Sequence, residues 1–195
     1  MYRIVCIMGK SSSGKDHIYQ ALLERKDLDL KRIIMYTTRP KRSGEEEGVE
    51  YFFRDEAFVE QMSQKGKVIE LREYQTVYGP WKYFTLDDGQ IDRNQGTYLM
   101  IGTLEVYEAL CKYFGEEHVL PIYVEVEDGI RLLRALEREK KQEHPKYKEL
   151  CRRFLADCED FSEEKLTRAG IVSVYENNGE IEECIHRIVE TLKNI

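Results

Sequence analysis

The sequence predicts an α/β fold, a five-stranded parallel sheet wound with helices on both sides. Two observations lead there. Strand-like apolar runs at residues 3–8, 32–36, 98–101, 120–126 and 171–175 alternate with helical patterns. Right-handed crossovers between such units build a parallel sheet. The second observation is the stretch Gly9-Lys10-Ser11-Ser12-Ser13-Gly14-Lys15-Asp16, which lies between the first strand and the first helix. Strand, glycine-rich loop and helix in that order are the setting of a phosphate-binding loop.

The loop has a simple physical logic. Gly9 and Gly14 let the backbone turn so that successive N–H groups point into one concavity. The helix that follows adds the positive end of its dipole, and Lys15 adds a full charge able to reach the β- and γ-phosphates of a nucleotide. Position 16 departs from the pattern, with Asp where Ser or Thr is usual. Asp16 has two readings. Its carboxylate can serve as a hard oxygen ligand for Mg²⁺ in place of the hydroxyl, or it can simply favour the helix N-terminus.

The remaining elements follow in order. Ile18, Ala21 and Leu22 line one face of the first helix, and residues 32–36 read as a second buried strand. Residues 37–44 form a polar turn with Arg39, Lys41 and Arg42, followed at once by Glu45, Glu46 and Glu47. On charge alone this is a self-neutralising solvated loop. Short strands at 50–53, 68–74 and 83–85 and a helix from Asp55 to Lys65, closed by Gly66, complete an insertion over residues 37–85. Alternation then resumes with the strand 98–101, a helix over 104–114 and the strand 120–126. The helix from Asp128 to about Lys141 carries Arg131, Arg134 and Arg138 on one face and Leu132, Leu133 and Leu136 on the other. A stripe of this kind is commonly a solvated face. A second helix runs from Tyr147 towards Phe161, then the strand 171–175, then a terminal helix with its apolar seam at Ile181, Cys184, Ile185, Ile188, Val189 and Leu192.

Composition bounds the function. The 195 residues suffice for one domain with a full core, and 42% hydrophobic with 34% charged residues is a globular balance. A net charge of −7 speaks against nucleic acid as a partner, although local basic clusters can still bind small anions. No apolar run is long enough to span a membrane, and a first strand opening at residue 2 or 3 is expected to leave no room for a targeting segment. The five cysteines lack any C-x-x-C pair; Cys151 and Cys158, seven apart on one helix, are expected to serve a core. A reducing, cytoplasmic setting is expected. No histidine has a partner at metal-ligand spacing.

With these residues in hand, the chain resembles the guanylate kinase family over nearly its whole length. The loop at 9–16, Thr37-Thr38-Arg39-x-x-Arg42-x-Gly44-Glu45, Gly48-x-x-Tyr51, Glu70 and Tyr78-Gly79 stand in the family's order, and Arg134-x-x-x-Arg138 followed by Arg153 resembles its lid arginines. The resemblance implies a single domain over 1–195: a P-loop kinase core, a small acceptor-binding subdomain at 37–85 and a helical lid at 128–153. It implies transfer of the γ-phosphoryl of ATP, with Mg²⁺, to a nucleoside monophosphate, GMP foremost. Lys15, Arg134, Arg138 and Arg153 would supply catalytic charge, and residues 9–16 would hold ATP. Arg39, Arg42, Tyr51 and Tyr78 would hold the acceptor's phosphate, while Glu70 would accept from guanine N1–H and the amino group.

This chain departs from the family at four base-reading or metal-binding positions. Met35 stands where Ser is usual, Pro80 where Ser or Thr follows Tyr-Gly, and Met100 and Gly102 where the strand end carries two aspartates. The phosphate clamp is thus kept while much of the base-reading set has changed, which leaves open a ribose-bisphosphate-type acceptor. A third reading is a non-catalytic interaction module, against which Lys15, Arg134, Arg138 and Arg153 argue. Oligomeric state is not readable.

Overall fold

The computed structural model describes residues 2–76 and 79–194. The larger sheet has the order β2-β7-β1-β8-β9, every pairing in it parallel. Its strands are β1 (Tyr2–Met8), β2 (Leu30–Arg32), β7 (Gly96–Ile101), β8 (Val119–Glu125) and β9 (Val174–Glu176). Period-2 alternation along β1 explains the two-sided core. Tyr2, Ile4, Cys6 and Met8 face one layer, packed with Leu104, Val106, Tyr107, Leu110 and Phe114 of α3 (Leu104–Phe114). Val5 and Ile7 face the other, with Ile18 and Leu22 of α1 (Lys15–Leu23) and Cys184, Ile188, Val189 and Leu192 of α7 (Ile181–Lys193).

The smaller sheet, β4-β3-β6-β5, comprises β3 (Tyr36–Thr37), β4 (Phe52–Phe53), β5 (Val68–Thr76) and β6 (Gly79–Leu86). With α2 (Glu56–Gln64) it has its own core of Tyr36, Val59, Phe84 and Leu86. Asp55 caps α2 by accepting from Phe58 N at 2.9 Å. Two helices, α4 (Asp128–Lys140) and α5 (Tyr147–Asp160), form an arm after β8, and α6 (Glu163–Arg168) is a short helix that the sequence reading missed.

Three expectations are corrected. Residues 32–36 are not one strand. Arg32 ends β2, Ile33 N still bonds Leu99 O at 3.0 Å, and Tyr36 belongs to the other sheet. Between them Ile34 has its N–H and C=O bonded by the Gln90 side-chain amide at 2.8 and 3.1 Å, which replaces a strand neighbour while the chain crosses between sheets. The last strand begins at Val174, not Ile171: Ile171 is buried, but Val172 is 90% exposed and outside the sheet. Cys151 is exposed and Cys158 half-buried, because α5 buries no residue fully. Among the described residues no helix is long and apolar enough to cross a membrane.

Candidate active site

The glycine-rich loop runs from the C-terminal end of the central strand β1 into α1. Its backbone is tightly enclosed. A Cβ at Gly9 would stand 2.5 Å from Val124 O, and one at Gly14 2.5 Å from Asn177 Nδ2. Gly14 is also the N-cap of α1 with φ 87°, a left-handed conformation that suits glycine. Asn177, buried after the edge strand β9, donates to Ser13 O at 2.8 Å and so fixes the loop. The sequence reading passed over Asn177. Its only signal was a polar residue directly after a strand. Lys15 opens α1 with its side chain 18% exposed, and the Asp16 carboxylate is 3.7 Å from its Nζ and 77% exposed. The N-cap of α1, Gly14, has no side chain to cap with, and the Asp16 carboxylate is paired with Lys15.

Magnesium fits this loop. Mg²⁺ in phosphoryl-transfer sites keeps waters and substrate oxygens and needs only one or two carboxylates. Asp16 would supply one, and the hydroxyls of Ser12 and Ser13 are buried without hydrogen-bond partners. The described residues contain no cluster of three or more His, Cys, Asp or Glu able to hold a metal without substrate oxygens. Neither of the strand positions at 100 and 102 helps: Met100 is a core residue, and a Cβ at Gly102 would lie 2.8 Å from Cys6 Sγ.

The arm reaches the loop. Arg153 Nη2 is 3.1 Å from Ser11 Oγ, and Lys10 Nζ is 3.4 Å from Asp128 Oδ1. Asp157 Oδ2 accepts from Ser11 N at 2.9 Å and from Arg131 Nη1 at 3.2 Å. Arg131 was read as part of a charged stripe, yet it is 1% exposed, while Leu132 and Leu133 face outward. Its guanidinium is held by Asp128 at 2.9 and 3.1 Å and by Asp157, and lies 3.9 Å over the Phe154 ring. For Asp128, burial opposes the charged form, but hydrogen bonding from Arg131 and the charges of Lys10 and Arg131 together hold its carboxyl below the usual range. Arg134 and Arg138 have no ion pair among the described residues.

In the turn after β3, Arg39 is 3% exposed and its fork is engaged. Nη1 and Nη2 bond Glu45 at 2.9 and 2.8 Å, and Nε bonds the Tyr83 hydroxyl at 3.2 Å. Glu45 also accepts from Arg42 N at 2.8 Å, so the turn is built around its carboxylate. Arg42 itself is exposed. Tyr51, half-buried, stacks edge-on against Tyr83 and lies beneath the Arg39 guanidinium. Glu70 is buried on β5, accepting from Thr85 Oγ1 at 2.8 Å and from Arg72 Nε at 3.0 Å. Both Glu70 and Arg72 line a cavity of about 820 Å³ between β5 and α3. Arg72 was missed because β5 read simply as an alternating strand. Tyr78 lies outside the described residues.

Residues 1–83 match the guanylate kinase family model. The chain is 35% identical over 91 residues to a guanylate kinase of Enterococcus faecalis, covering 45% of each chain. It is 36% identical over 112 residues to one from Mycoplasmoides gallisepticum, covering 57% of this chain and 56% of that one. The matches thus span about half the length of these curated relatives. In three dimensions the fold is similar to the crystal structure of guanylate kinase from Anaplasma phagocytophilum, with TM-score 0.64, 22% identity, and coverage of 98% of this chain and 85% of that one.

Proposed function

We propose that the chain, whose residues 1–83 match the guanylate kinase family model, acts as a member of that family and transfers the γ-phosphoryl of ATP to GMP, giving ADP and GDP. The observation that carries this reading is the convergence of three cationic elements on one loop. Lys15 stands at the head of α1, Arg153 touches Ser11, and Arg131 is anchored behind the same loop. Phosphoryl transfer between two anions needs positioned positive charge more than acid–base work. The loop N–H groups and the α1 dipole receive the ATP phosphates, and Lys15 follows the charge that develops on the migrating group. Arg134 and Arg138, without ion pairs, are available to join Arg153 when the arm closes as a lid over residues 128–153. Closure also excludes water, which would otherwise accept the phosphoryl group.

In the acceptor subdomain at 37–85, Arg42 and Tyr51 supply a charged donor and a phenol to the acceptor phosphate, with Tyr78 the further expected donor. Arg39, locked by Glu45, holds that turn in shape. Glu70 receives the base. Magnesium, when bound, offsets charge on the phosphate oxygens, and Asp16 would hold it. A coupled assay of ADP release across GMP, AMP, CMP, UMP and ribose bisphosphates tests the reading. GMP is expected to give the highest kcat/KM; ADP release with a ribose bisphosphate alone, or with no acceptor in the panel, would overturn it.

A further inference from the structure

Glu70 and Arg72 point to a second reader of the acceptor base. This rests on the kinase reading above. Guanine presents a mixed edge: O6 accepts, while N1–H and the 2-amino group donate. A site that reads it needs a carboxylate and, beside it, a donor. Glu70 is the carboxylate, fixed by Thr85 and by Arg72 Nε. The Thr85 hydroxyl proton is already given to Glu70. Met35 offers only a thioether, and Gly102 has no side chain. A Cβ at Gly102 would already lie 2.8 Å from Cys6 Sγ and 3.1 Å from Val106 Cγ1.

Arg72 alone among the described residues touching Glu70 has N–H groups to spare. Beyond Nε, its Nη1 stands 3.5 Å from Thr103 Oγ1 and its Nη2 3.8 Å from Met35 Sδ, both long contacts, and Tyr74 is a further side-chain hydrogen-bond partner, so that of the five N–H groups at least one is left over. Thr103 Oγ1 also accepts from Val106 N as the N-cap of α3. The Arg72 side chain is 13% exposed, and the residue is part of the cavity wall with Glu70. A planar fork with unspent donors held next to a carboxylate has the donor–acceptor order that guanine's edge complements. Adenine inverts it, bringing its 6-amino group against a donor and its N1 lone pair against a carboxylate.

We infer that Arg72 is a specificity-determining residue, donating to guanine O6 while Glu70 accepts from N1–H and the 2-amino group. The site regains through a strand arginine the donor that Met35 and Gly102 cannot give.

The test separates the two partners by changing one atom of the acceptor at a time. Initial rates are measured at saturating ATP with GMP, 6-thio-GMP, IMP and AMP, using the full chain, Arg72→Met and Arg72→Lys. The 6-thio analogue weakens only the acceptor facing Arg72; IMP removes only the amino group facing Glu70. Arg72→Met is expected to lower kcat/KM for GMP by about 10- to 100-fold and to collapse the GMP:6-thio-GMP and GMP:AMP ratios by a similar factor, leaving the GMP:IMP ratio in place. Arg72→Lys keeps a cation beside buried Glu70, so it guards against simple misfolding, and it is expected to fall between wild type and Arg72→Met. A wild type that prefers GMP, with both folded variants retaining all its ratios, would overturn the role of Arg72 alone. A wild type that phosphorylates none of these nucleotides would overturn the kinase reading, and this role with it.

Discussion

Asp16 is where a single residue sets the loop apart. Its carboxylate is largely exposed and lies beside Lys15, and the metal-ligand reading is the one we propose for it. Asp16→Ala is therefore expected to shift half-saturation by Mg²⁺ to higher concentration at fixed ATP, and Asp16→Ser to recover only part of that shift; superimposable magnesium curves for the three proteins would contradict it. Glu45 gives a second residue-scale prediction. Its hydrogen bonds from Arg39, working against burial and helped by Arg42, hold its carboxyl below the usual range. A carboxyl depressed by folding contributes stability above its unfolded pKa, about 4.3, and loses it as pH falls through the folded value. Wild type should thus melt above Glu45→Gln at pH 7, with the gap closing below about pH 4. A gap of constant size from pH 7 to pH 3 would mean that the Arg39–Glu45 pair is not what Glu45 contributes. Part of this scale was legible beforehand: Gly9, Gly14 and Lys15 lie in the strand–loop–helix turn that their spacing predicted, and Glu70, singled out by resemblance, lies buried on β5. Asn177, Asp157 and Arg72 were not, because each acts through a partner far away in the chain or across a strand, and no local pattern records such a pairing.

Among the elements, the α4–α5 arm departs most from its sequence pattern. Helical periodicity placed the arginines and leucines on opposite faces, which is correct, but gave no means of knowing which face turns inward. Burial of Arg131 is made possible by Asp128 and Asp157, a carboxylate pair drawn from two different helices, with Phe154 beneath the guanidinium. The docking has a cost for nucleotide binding. Asp157 occupies the Ser11 N–H with a carboxylate, an anion at a donor that a phosphate would use. On the proposed function nucleotide would have to displace it, and the apparent affinity would be lowered by the fraction of molecules in the docked state. Asp157→Asn should lower the KM for ATP by about 3- to 10-fold, with little change in the KM for the acceptor. An ATP KM that is unchanged or raised would show that the contact does not compete. The crossing at 33–35 taught a similar lesson. An apolar run that looks like one strand is divided between two sheets because the Gln90 amide satisfies Ile34 midway.

At the scale of the molecule, the two-layered helix packing around β1 and the separate sheet over residues 36–86 follow from patterns that were plain in the chain: period-2 burial in β1, the glycine-rich turn after it, and a cluster of short strands interrupting an alternating series. The weaker features were those at the margins, the exposed edge strand β9 and the short helix α6, where little apolar area is buried and pattern carries less information. The loop stands at the end of the central strand with the arm docked on it, and on the proposed function donor and acceptor phosphates are expected to meet over Lys15. That claim is tested most directly by Lys15→Ala, assayed by ³¹P NMR with ATP and GMP, with folding checked by thermal melting. The wild type should produce ADP and GDP in equal amounts, and the folded variant should lose at least about 100-fold in rate. Equal formation of ADP and GDP by a folded Lys15→Ala protein at near wild-type rate would contradict the account.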